Sequence, residues 1–174
     1  MVCAIITILL GICSFVMLTQ PALAFYGGEG DAVSSAIRDL LESVFGGSTN
    51  GYDMLVFEEG QNTYWYVGNI FLIVAMVFCG IMILLSILNL IIQSAGKEKI
   101  LGTRVFAIMF FLTALVALIM YVLFANELMG SDMEGFIQSI KDGGVVLTVG
   151  YGLICFVVAS FLSIFFASGK KKKK

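Results

Sequence analysis

Histidine is absent from this chain, proline occurs once, and charged residues fill only 13% of its 174 positions. The missing imidazole removes the commonest general base, the commonest metal ligand and the usual switch near neutral pH. The single proline, Pro21, argues against long irregular linkers. No phosphate-cradling Gly-rich loop with its Lys and Ser/Thr is present, and no nucleophile has a base nearby. The adjacent acids Glu58 and Glu59 fall in a turn-rich, acidic stretch, so a tuned acid–base pair is not expected there. The four cysteines, Cys3, Cys13, Cys79 and Cys155, all lie in apolar runs, with neither metal-ligand nor CxxC spacing. They read as small packed hydrophobes. Autonomous catalysis, a resident metal and a cofactor are therefore not expected.

What is present is apolar. Hydrophobic residues make up 60% of the chain and mean hydropathy is +1.03, against roughly 45–50% apolar residues in a soluble domain. Val67–Ile92 and Val105–Phe124 are uncharged runs on either side of a short basic loop. Each reaches the ~20 apolar residues that a membrane crossing needs. Val145–Ala167 is a third such run. The expectation is an all-α polytopic membrane protein, with a three-helix transmembrane bundle within 67–168 and crossings at about 67–92, 105–124 and 145–167.

Charge alternates along the chain. Residues 25–66 set Glu29, Asp31, Asp39, Glu42, Asp53, Glu58 and Glu59 against Arg38 alone, and 125–144 are also acidic. Residues 94–104 carry Lys97, Lys99 and Arg104 against Glu98, and five lysines beginning at Lys170 form a tail at 169–174. Basic short loops stay on the cytoplasmic side. The loop and the tail are thus expected inside a bacterial-type inner or plasma membrane, with 25–66 and 125–144 outside. Without aromatics or arginines among its lysines, the tail reads as a membrane-surface anchor rather than a nucleic-acid contact.

The N-terminal run Val2–Leu18 has two readings. Ala22-Leu23-Ala24 after an apolar stretch fits a signal peptide cleaved after Ala24. The start, Met-Val-Cys-Ala, lacks the positive flank of such peptides, which leaves an uncleaved signal anchor at 1–24, acting as a fourth helix, as the alternative. Beyond it, Asp31 caps an amphipathic helix at about 31–45, with Val33, Ile37, Leu40 and Val44 on one face. Ser131-Asp132-Met133-Glu134 is a capping box for a second, at about 132–142. Both are expected to lie in the outer interface. Tyr64, Trp65 and Tyr66 precede the first long run as a headgroup-level aromatic belt.

Within the runs, small and polar residues recur three and four apart. The first seam is Ala75, Cys79, Met82, Ser86, Asn89 and Gln93; the second is Ala107, Phe110, Ala114, Ala117 and Tyr121; the third is Cys155, Ala159, Ser163 and Ala167. Helices in lipid associate through close backbone approach and interhelical hydrogen bonds, so these faces are expected to meet protein. Asn89 reads as the one strongly polar group well inside a crossing, suited to an interhelical hydrogen bond. No Asp, Glu, Lys, Arg or His lies within a run, as a coupled transporter would require.

The A-x-A signal, the short outer segment and two apolar helices around a tight basic loop (Lys97, Lys99, Arg104) resemble the small membrane subunits of conjugation and type IV secretion machines. These include the pilins and their small polytopic companions. The likeness is architectural, covers about Met1–Phe124, and implies a non-enzymatic building block whose partners are the bilayer and other membrane subunits or copies of itself. The third crossing, the acidic outer segment and the lysine tail depart from the pilins and point to a companion subunit. Two alternatives stand beside it: a pore or transport subunit oligomerising around Ser86, Asn89 and Gln93, and an accessory subunit of a membrane enzyme.

Overall fold

A computed structural model describes residues 2–20, 23–26, 51–52, 55, 62–96, 103–130 and 146–167. The described elements are α1 (Val2–Met17), β1 (Leu23–Tyr26), α2 (Thr63–Ser94), α3 (Thr103–Gly130), β2 (Val146–Val149) and α4 (Tyr151–Ala167). The expected helices at 31–45 and 132–142, the loop lysines Lys97 and Lys99, and the tail with Lys170 lie outside the described residues.

Helices α2 and α3 form an antiparallel hairpin and are long and apolar enough to cross a membrane. Both outrun their apolar cores. At the start of α2, the Asn62 side chain accepts the Tyr64 N–H at 2.8 Å, satisfying one orphan donor of the first turn. The aromatic triplet Tyr64–Tyr66 is therefore helical and forms the first turn of α2. α3 continues to Gly130, into residues expected to be loop. The reason is continuity: Ala125, Asn126 and Glu127 add no helix breaker after Phe124.

The shorter helices α1 and α4 pack on each other and on the hairpin, α1 against α2 and α4 against α3. The end of α1 meets the start of α4, so this pair too is antiparallel. There the Tyr151 hydroxyl donates to Gln20 Oε1 at 2.8 Å. A core of Leu72, Ala75, Cys79, Met82, Ala107, Phe110, Ala114, Ala117, Tyr121, Leu153 and Phe156 runs through all but α1, which adds Leu18 just past its end.

The expected helical class holds for the four described helices, and one short ribbon stands beside them: β1 and β2 pair antiparallel in the register Leu23–Val149, Ala24–Thr148, Phe25–Leu147 and Tyr26–Val146. The third apolar run is correspondingly not one helix from residue 145, since α4 begins at Tyr151. The cause is local chemistry. Val-Leu-Thr-Val is rich in β-branched side chains that favour extended backbone, and Gly150 separates it from the helix. Hydrophobicity alone does not separate a buried strand from the first turn of a buried helix.

Candidate functional site: the helix seams

The inward face of α2 consists of Gly68, Asn69, Leu72, Ala75, Cys79, Met82, Ser86 and Asn89, all buried. Gln93, the last residue of the sequence seam, is half-buried. Opposite stand Ala107, Phe110, Ala114, Ala117 and Tyr121 of α3, each fully buried. Small residues here let two backbones approach closely, which is the main source of attraction between helices in lipid. The α4 seam is rotated from the expected one. Ala159 and Ser163 are buried, whereas Cys155 and Ala167 sit half-buried at its edge, and Gly152, Leu153, Phe156 and Ser160 complete the inward face. Phe156 meets Phe110 edge-on, with ring centroids 5.2 Å apart.

Polar side chains close the hairpin at both ends. Near the basic loop the Asn89 side-chain amide donates to Thr103 Oγ1 at 2.8 Å, and both residues are buried. At the far end the Tyr121 hydroxyl donates to Asn69 Oδ1 at 2.7 Å, again buried. Asn89 is thus not the only amide in the crossing: Asn69, close to the aromatic belt, escaped notice in the sequence. The two asparagines are 20 residues apart, or about 30 Å at 1.5 Å per residue, one hydrocarbon thickness. Beyond Asn69, the half-buried Asn62 side-chain amide donates to the carboxylate of the exposed Glu127 at 2.5 Å.

Trp65 folds inward against the same end of the hairpin, edge-on to Tyr121 at 5.9 Å and to Phe124 at 5.0 Å. Tyr64 and Tyr66 stay exposed. The belt therefore divides, with one ring packing the hairpin and two facing outward. Arg104 is exposed at the other end, beside the buried Thr103.

Sequence reasoning passed over the seam of α1. Ala4, Thr7, Gly11 and Ser14 are its buried residues, again three and four apart, and this spacing was readable. Thr7 and Ser14 donate back to the carbonyls of Cys3 and Leu10, each at 2.8 Å, which hides their hydroxyls within the helix. Gly11 lies against the middle of α2. The Cys79 thiol points at its carbonyl at 3.6 Å, and a Cβ there would come within 2.5 Å of Ile83. Ser160 and Ser163 of α4 back-bond in the same way, to Val157 and Ala159. Ser86 differs: its hydroxyl is buried without a hydrogen-bond partner among the described residues.

Among the described residues no cluster of three His, Cys, Asp or Glu could hold a metal ion. What the arrangement offers chemically is adhesion: small faces, buried amide and hydroxyl pairs, and aromatic edges. No family model matches the chain, and neither a curated protein nor a solved structure matches it.

Proposed function

We propose that the chain is a non-enzymatic integral membrane subunit that docks into a larger membrane complex, in the manner of the small polytopic companions of conjugation and type IV secretion machines that it resembles. The observation that carries this reading is the distribution of burial along the hairpin. Only 28% of the most apolar stretch of α2 and 33% of that of α3 is buried. A core helix of a soluble protein buries most of such a stretch, so the remaining apolar surface calls for lipid or for neighbouring subunits. The basic 94–104 loop then faces the cytoplasm, with Asn62, Trp65, Glu127 and the acidic segments outside.

The small-residue faces are engaged within the chain. Partners therefore dock on the outward faces, where Val77, Leu84, Leu88, Val105, Leu112 and Ile119 are exposed, or on the acidic outer segments. Asn89 is held by Thr103, and a pore built on the Ser86–Asn89–Gln93 stripe would have to break that bond. Crosslinking in the native membrane, followed by mild-detergent purification and identification of attached proteins, tests the reading. The expected result is a discrete complex with other membrane subunits. A monodisperse monomer that crosslinks to nothing would overturn it.

A further inference from the structure

The first 24 residues carry two competing signals. Ala22-Leu23-Ala24 has the form of a signal-peptidase site, but the helix before it is fitted to specific neighbours. A segment destined for removal needs only a sufficiently apolar stretch behind a positive flank. α1 instead buries Ala4, Thr7, Gly11 and Ser14 as a small-residue seam. Three further ties bind its C-terminal end. Gly152 of α4 approaches so closely that a Cβ would stand 2.7 Å from the carbonyl oxygens of both Met17 and Gln20. The Gly51 N–H donates to the Leu18 carbonyl at 2.7 Å, and the Tyr52 hydroxyl to the Phe15 carbonyl at 2.9 Å. Leu18 itself is fully buried in the common core.

We infer that α1 is retained as the fourth helix of the working protein, and that strand pairing closes the bond after Ala24 to processing. A protease binds its substrate as an extended strand whose backbone groups are free to pair with the enzyme. In the fold Ala24 pairs with Thr148 and Phe25 with Leu147, so one edge of the scissile segment is already taken. Loss of residues 1–24 would take away half of the strand that pairs with β2 and would leave the seam side of α4 without the helix it fits. Retention is independent of what the bundle docks with, because it rests on the contacts of α1 within the chain.

The test uses the full chain with a C-terminal epitope, purified from a bacterial membrane, with intact mass and N-terminal sequence determined. The expected result is a chain that still contains the α1 segment, Val2–Met17. A chain beginning at Phe25 overturns the inference. A second measurement compares thermal unfolding of Gly11→Ala with that of Cys13→Ala, whose site is exposed on the other side of α1. If α1 stays, the added methyl must displace Ile83, and the midpoint for Gly11→Ala falls by about 3 °C while that for Cys13→Ala does not move. Identical unfolding of Gly11→Ala and the unaltered chain overturns the inference, since a cleaved protein would not contain the substitution.

Discussion

The hairpin α2–α3 and the flanking pair α1–α4 solve the same packing problem by different means. The hairpin is long, its helices follow one another in sequence, and side-chain hydrogen bonds at Asn69–Tyr121 and Asn89–Thr103 fasten its two ends. The pair is short, comes from opposite ends of the chain, and is fastened by glycine contacts and a strand ribbon. Side-chain clasps tolerate some adjustment because side chains have rotamers. Backbone-to-backbone contacts tolerate almost none, so the pair is the more brittle of the two.

The sharpest way to break that contrast is Gly152→Leu. Its Cβ would run into two carbonyl oxygens of α1 rather than into a movable side chain. Destabilisation of about 3 kcal/mol or more is expected, seen as loss of the folded fraction in detergent unfolding titrations. Next comes the hairpin's core, where Phe110→Ala removes a fully buried ring and its contact with Phe156. A cost of about 3 kcal/mol is expected by the same measurement, reduced if Phe156 relaxes into the space. The clasps should be weaker. A double-mutant cycle with Asn89→Leu and Thr103→Val should return a coupling of about 1 kcal/mol, and Asn69→Leu with Tyr121→Phe a similar value. Smallest of all is the effect expected at Glu127, which accepts from Asn62 at the far end of the hairpin. Glu127→Ala should change stability by less than about 0.5 kcal/mol, whereas Asn62→Ala should cost about 1 kcal/mol because it also removes the cap of α2. Clasps that prove stronger than the glycine contacts would reverse the comparison.

The hairpin was the legible part of the fold because its signals are local. Uncharged length marked the two helices long and apolar enough to cross a membrane, and the three-and-four spacing of Ala75, Cys79, Met82, Ser86 and Asn89 marks residues that are buried. What escaped was set by distant partners. Val146–Val149 reads as the start of a helix until Leu23–Tyr26 is beside it, since strand pairing is not written in either segment alone. Asn69 went unremarked at the edge of its run, yet the Tyr121 hydroxyl makes it a structural group. The seam of α1 was visible in Ala4, Thr7, Gly11 and Ser14, but the A-x-A pattern that follows drew the reading towards a disposable leader. On α4 the face is turned away from Cys155 because Gly152 is where α1 comes closest.

The ribbon also sets an order of events. Gln20 and Tyr151 are 131 residues apart, so the first helix cannot find its counterpart until nearly the whole chain has been synthesised. The hairpin, by contrast, needs only its own neighbouring segments and can close early. α1 must therefore wait beside a completed hairpin, and β1 must wait for β2 before the two ends of the chain are joined. The ribbon is thus the last tie of the fold to close, and it closes only when residues 146–167 have arrived.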